Sequence, residues 1–269
     1  AQSVGISEAA YREACKYAAE RRQFGKAIIE FPAVSEMLAV MKAKLQASRA
    51  ILYETTRFVD IYKAYGFVAE TRKLTPEERQ EMKKYQRYAD MFTPVLKMMS
   101  SEYCNQNAYD AIQIHGGSGY MKEYPVERIY RDARITTIYE GTSQLQTVAA
   151  IRYVTTGAYL ARIREYEAEE VAPEFATLKK TLMEMAQQYE QACALVHGHD
   201  NTYIDFHARR LVEMAGHIIM GWLLVLDSQR CADFAKSARV FVGKAKSWNQ
   251  ERYDYIAGFS DDDLADFIS

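Results

Sequence analysis

After Pro32 the apolar residues Val34, Met37, Leu38, Met41, Leu45, Ile51, Leu52 and Val59 recur at steps of three and four. That is the period of one face of an α-helix, and it runs far longer than an isolated amphipathic helix needs. Pro32 suits the first helical turn, where its missing N–H costs nothing, so the spacing predicts one long helix to about Tyr65. "TPEE" at 75–78 reads as a capping box that opens the next helix. Thr93-Pro94 is expected to break or bend that helix, because proline clashes with the preceding turn. A further helix from about Val95 to Ile114 then ends at Gly116-Gly117. Residues 118–139 read as irregular with a short helical turn near 124–130, and the helical pattern resumes in "TSQLQTVAAIRYVTTGAYL".

The same period returns in the second half. Leu178, Leu182, Met185 and Tyr189 share one face, and Leu211, Met214, Ile218, Trp222 and Val225 another. Helices are expected over about 174–196, 202–227 and 230–247, with a short capped helix in the tail "SDDDLADFIS". No strand pattern of useful length occurs; "ITTIY" is too short to support a sheet. The fold class is therefore all-α: an up-and-down bundle of about four long helices over 1–158, then a second helical region over 159–269. The highly charged "LARIREYEAEEVAPE", closing at Pro173, marks the junction between them.

A net charge of −2 leaves no basic footprint, which argues against nucleic acid as a partner. No apolar run approaches the roughly 20 residues of a membrane span. Cys15, Cys104, Cys193 and Cys231 lie far apart, without the spacings of zinc or redox sites, and fit a reducing, cytoplasmic setting. "HGHD" at 197–200 reads as a polar loop rather than a metal site, and no metal is expected. The chain opens at Ala1 already inside a helical pattern, as a fragment or processed product would.

Three patches carry the residue types of a binding site. "ERRQFGKAI" at 20–28 joins arginine and glutamine to a glycine that permits close backbone approach, although a solvated helix end has the same composition. "QIHGGSGY" at 113–120 places three glycines where a helix ends; without a preceding strand it is no dinucleotide fingerprint, and a plain loop explains it equally well. "IYEGTSQLQ" at 138–146 sets a lone carboxylate, Glu140, at a helix entrance. Taken singly, Glu140 reads best as a helix-entry acid stabilised by the macrodipole; burial against a substrate would instead raise its basicity.

In order along the chain, R-x-x-F-G, Q-x-x-G-G-x-G-Y, R-D-A and I-Y-E-G-T-x-Q resemble the C-terminal helical domain of the acyl-CoA dehydrogenase family, over roughly residues 1–156. The resemblance implies an FAD enzyme that oxidises an acyl-CoA thioester to the trans-2-enoyl-CoA. It casts Glu140 as the base that removes the α-proton while hydride leaves the β-carbon for the flavin. Gly141 would leave room for the thioester and Tyr139 would line the acyl pocket. Thr142 and Gln144 match positions on the adenosine or pyrophosphate end of the subunit's own FAD. Arg21, Gln23, Phe24, Gln113, Gly116 and Gly117 match positions that reach the FAD of a neighbouring subunit. A homodimer or homotetramer, an acyl-CoA substrate, an electron-transfer flavoprotein as oxidant and a place in fatty-acid β-oxidation follow from the same likeness.

The family's N-terminal helical and middle β-domains are not in this chain, so the polypeptide alone is expected to bind FAD poorly and to be inactive. Relative to shorter members, 70–94 looks like an insertion and the region after 160 like the added helical domain of longer ones. That extension is expected to pack at a subunit interface. A non-catalytic module for oligomerisation or acyl-CoA binding, and an acyl-CoA oxidase of the same fold, are the alternatives; the intact E-G-T disfavours the first.

Overall fold

A computed structural model describes residues 1–267 and is almost wholly helical. α1 (Gln2–Glu20) leads into a two-residue antiparallel hairpin, β1 (Arg22–Gln23) and β2 (Lys26–Ala27). Two 40-residue helices follow, α2 (Pro32–Thr71) and α3 (Pro76–His115), then the short α4 (Val126–Ala133) and α5 (Ser143–Thr155). The second half comprises α6 (Ala158–Glu167), α7 (Ala176–Val196), α8 (Asn201–Arg230), α9 (Ala235–Ala257) and α10 (Asp261–Leu264).

α3 opens as its sequence dictates. Thr75 Oγ1 accepts from the Glu78 N–H at 3.2 Å, and a Glu78 carboxylate oxygen accepts from the Thr75 N–H at 2.9 Å. The expected break at Thr93-Pro94 does not occur: α3 runs through a buried Pro94. Proline denies a donor to the carbonyl of Asp90, but Thr93 Oγ1 donates to the Ala89 carbonyl at 2.7 Å just beside the gap. Around the proline α3 packs against α2, α5, α6 and α8, and that burial of Met91, Phe92 and Val95 outweighs the local cost. Residues 70–94 form the end of α2, a short turn and the first half of α3, so they lengthen two helices rather than add a separate lobe.

The charged stretch after Leu160 is also more regular than its composition indicated. α6 buries Tyr159, Ile163 and Tyr166 on one face. Arg162 stacks 4.1 Å from the Tyr166 ring and 4.9 Å from that of Tyr88, and pairs with Glu54 of α2 at 3.0 Å. One hydrophobic core thus runs from α2 and α3 through α5 and α6 into α7, α8 and α9. A second, smaller core joins α1 to the facing parts of α2, α3 and α4. By length and composition α8 would suffice to cross a membrane, with a mean hydropathy of 1.4 in its most apolar window. However, 83% of that window is buried against neighbouring helices, the pattern of a core helix.

Candidate active site

Two short turns use the same backbone device. Phe24 and Glu140 are the non-glycine residues with positive φ among those described, at 50° and 51°, and each precedes a glycine with positive φ: Gly25 at 84° and Gly141 at 91°. Such a conformation costs an L-residue about 1 kcal/mol or more, so it persists where the surroundings impose it or a function uses it.

The Glu140 turn is held from below by α3. Lys97 Nζ donates to the carbonyls of Thr136 at 2.7 Å and Gly141 at 2.9 Å, and lies 5.4 Å from the centre of the Tyr139 ring. Burial pulls the Lys97 ammonium below its ordinary pKa, and the nearby carboxylates of Glu140 and Glu102 partly oppose that. Two turns further along α3, Asn105 Nδ2 donates to the Ala133 carbonyl at 3.0 Å and Thr136 Oγ1 at 3.2 Å. From the other side Gln146 Nε2 donates to the Glu140 carbonyl at 3.2 Å. It sits so close that a Cβ on Gly141 would lie 2.7 Å from it. Tyr139 is half-buried, its hydroxyl donating to Gln2 Oε1 at the start of α1.

The helix-capping reading of Glu140 gives way here. Thr142 is the N-cap of α5, its Oγ1 accepting from the Leu145 N–H at 3.3 Å. Glu140, two residues earlier, is exposed, and among the described residues its carboxylate makes no hydrogen bond. Ser143, buried behind it, donates to Glu102 Oε1 at 2.6 Å. Glu102 meets Arg209 of α8 at 3.3 Å, and Arg209 and Arg252 converge on Glu213 at 2.9 and 2.6 Å. Burial raises the Glu213 carboxyl, but these two guanidinium groups outweigh it and hold its pKa below the usual range. The E-G-T-S-Q segment is thereby tied to both α8 and α9.

The other motifs gather elsewhere. α1 ends at Glu20, and "RRQFG", expected to close the helix, instead forms the hairpin, with Arg22 facing Ala27 and Gln23 facing Lys26. Phe24-Gly25 makes the two-residue loop, whose paired positive φ values are those of a type I′ turn. The Phe24 ring is 93% exposed, and Arg21 and Gln23 are exposed with no side-chain hydrogen bond among the described residues. At the end of α3, Gln113 is exposed, Gly116 (φ 59°) caps the helix and Gly117 is open to solvent. Gly119 alone of this cluster is packing-bound: a Cβ there would lie 2.8 Å from the Ile112 carbonyl oxygen.

Tyr17 joins these two segments, stacking on His115 at 4.2 Å and donating to Ser118 Oγ at 3.4 Å, one turn before Arg21. Tyr139, in contrast, touches Gln2 at the opposite end of α1. At about 1.5 Å per residue, Gln2 and Tyr17 are roughly 20 Å apart. The structure therefore brings Arg21, Gln23, Phe24, Gln113, Gly116 and Gly117 together at one end of α1. It places Tyr139, Glu140, Gly141, Thr142 and Gln144 near the other.

Lys97, Asn105 and Gln146 escaped the sequence reading. Lys97, Ser101 and Asn105 do recur at four-residue steps, a polar stripe along an otherwise core-facing part of α3. That stripe was the available signal; nothing local marks Gln146.

The description "Acyl-CoA dehydrogenase, C-terminal domain" matches residues 1–155, and "Acyl-CoA dehydrogenase C terminal" matches 155–264. Among curated relatives, the caffeyl-CoA reductase-Etf complex subunit CarC of Acetobacterium woodii is 42% identical over 54% of this chain and 32% of its own length. The short-chain specific acyl-CoA dehydrogenase of Megasphaera elsdenii is 36% identical over 60% of this chain and 34% of its own. The chain thus spans about a third of the length of the curated relatives it matches. A Bacillus anthracis acyl-CoA dehydrogenase, solved with FAD, shares the fold over 94% of this chain and 47% of its own (TM-score 0.72, 23% identity). With a family match across more than half its length, this all-α chain belongs to the acyl-CoA dehydrogenase family and carries that family's C-terminal region.

Proposed function

We propose that this chain supplies the proton-abstracting base, and part of the FAD cradle, of an oxidoreductase that interconverts an acyl-CoA thioester and its trans-2-enoyl-CoA. The observation that carries this is Glu140. Its backbone is held in a strained turn by Lys97 and Gln146 while its carboxylate makes no hydrogen bond among the described residues. A scaffold needs neither the strain nor the free acid; a base that must reach a substrate needs both position and an unoccupied lone pair.

In this reading Glu140 accepts the α-proton of the thioester. Gly141, with no side chain, lets the carbonyl approach the turn, and the half-buried Tyr139 lines the acyl side. The residues present fit FAD: exposed amides and the Arg21 guanidinium, without side-chain partners among the described residues, open glycine backbone and an uncovered phenylalanine are the contacts a pyrophosphate and an adenosine take. Bound FAD would supply the two-electron acceptor for the β-hydride. Thr142 and Gln144 would hold the subunit's own cofactor. The cluster at the other end of α1, roughly 20 Å away, would serve a neighbouring subunit's, which supports a homo-oligomer. An electron-transfer flavoprotein as redox partner accords with the relative that is a subunit of an Etf complex.

Glu140→Gln, made in the protein together with its remaining domains, tests the reading. It should keep bound flavin yet lose substrate-dependent bleaching, with turnover down by about 10² to 10⁴. Undiminished turnover would place the base elsewhere.

A further inference from the structure

Ser143, three positions after Glu140 and the first residue of α5, is buried, and its Oγ donates to Glu102 Oε1 of α3 at 2.6 Å. The same oxygen meets the guanidinium of Arg209, on α8, at 3.3 Å. Arg209 is itself held in place, because its Nε donates to Glu213 Oε1 at 2.9 Å. Glu213 is fixed in turn by Arg252 of α9, whose Nε and Nη2 donate to Oε2 at 2.7 and 2.6 Å. A run of charge-assisted bonds therefore leads from α9 to the head of α5, and each is stronger than a neutral one. The Glu102 side chain is only 27% exposed. Stripped of Arg209, that carboxylate keeps one hydroxyl donor among the described residues, and a largely buried charge so placed favours any other cation within reach. Lys97, on the same helix, is such a cation: the Glu102 charge already raises its pKa against the pull of burial. Lys97 is also the residue that holds the Thr136 and Gly141 carbonyls. Arg209 thus leaves Glu102 to Ser143 and Lys97 to the turn.

We infer that Arg209 is a positioning residue of the active site: acting through Glu102, it sets the E-G-T-S-Q segment and with it the reach of the Glu140 carboxylate. The second helical region then takes part in catalysis through this ionic chain rather than by contact with substrate. The role in proton transfer rests on the function proposed above; the hold on the segment does not. Arg164 of α6 is the matched contrast. It is as exposed as Arg209, at 42% against 43%, and bridges two carboxylates, Glu167 and Glu190, each at 2.7 Å. Among the described residues its side chain makes no bond to α3 or α5.

The test uses the protein together with its remaining domains, with FAD bound, and butyryl-CoA or palmitoyl-CoA, whichever turns over faster, with and without deuterium at the α-carbon. Arg209→Gln should lower kcat about tenfold or more while KM and flavin content stay near wild type, since a displaced base slows the chemical step. The primary isotope effect should rise with it, a change that lost stability alone does not produce. Arg164→Gln should leave kcat and the isotope effect unchanged. In a Glu102→Gln background Arg209→Gln should cost little further, because the contact through which it acts is already gone. Should Arg209→Gln fail to fold, Arg209→Lys keeps the charge, loses the two-way fork, and should lower kcat by a smaller factor with the same rise in isotope effect. Equal losses in the wild-type and Glu102→Gln backgrounds, or an unchanged kcat and isotope effect in the Arg209 variants, overturn the inference even where Glu140→Gln behaves as proposed. Amide exchange over 138–146 separates the two readings. It should accelerate in Arg209→Gln and not in Arg164→Gln, whichever group takes the proton. Undiminished turnover in Glu140→Gln, beside that acceleration and the Arg209 losses, would overturn only the assignment of the base.

Discussion

Phe24-Gly25 and Glu140-Gly141 have closely similar positive φ values, yet one turn is held only by its own hairpin and the other is braced by distant helices. Around Gly25 a Cβ would meet nothing within 4 Å, and the ring of Phe24 projects into solvent. Around Gly141 a Cβ would collide with the Gln146 amide, and Lys97 grips two carbonyls of the turn. The difference teaches where each turn draws its shape from. The hairpin follows from its own two-residue loop, a short-range requirement. The Glu140 turn is imposed by α3 and α5, so its side chain is presented by the rigid body of the bundle. A reacting group needs that second kind of support, because small displacements cost rate.

The sharpest way to break this contrast is Lys97→Met. It leaves the half-buried carbonyls of Thr136 and Gly141 without their charged donor, and should cost about 2–3 kcal/mol in a denaturation experiment. Amide exchange over 138–142 should accelerate while the hairpin amides stay as they were; equal exchange in both turns would mean Lys97 does not brace the turn.

Gly141→Ala combines left-handed strain with the Gln146 clash and is expected to destabilise by about 2 kcal/mol. Gly25→Ala meets the strain alone and should cost about 1 kcal/mol. Matching midpoints for the two variants would remove the distinction between a packed and a free turn.

The smallest effect is expected at Phe24→Asn. Asparagine tolerates the left-handed region better, so thermal stability should rise by a few tenths, up to about 0.5 kcal/mol. In the full-length protein the same change should lower flavin retention. A variant that is no more stable and retains flavin fully would show that Phe24 neither strains the hairpin nor serves the cofactor.

The helices were legible because their information is local. The three-and-four spacing of Val34 to Val59, the capping box at Thr75 and the glycines after Ile114 each act within a turn or two. Proline at 94 was misjudged for the same reason. Its cost is local and visible, whereas the packing of α3 against α2, α5 and α8 that outweighs it is not. Glu140 could be singled out from its neighbours in sequence, but not the reason it stands free. The capping donors go to Thr142, and the turn is secured by Lys97, more than 40 residues upstream in the chain.

From the sequence alone, then, came the helical class, the motifs in order and the acid among them, since residue type and short-range spacing determine these. The tertiary structure decided that the motifs separate into two clusters at opposite ends of α1. It decided which turn is braced, and that Glu102, Arg209, Glu213 and Arg252 tie the E-G-T-S-Q segment to α8 and α9. Those outcomes depend on which distant side chains meet once the apolar faces are buried, and no local pattern encodes that pairing.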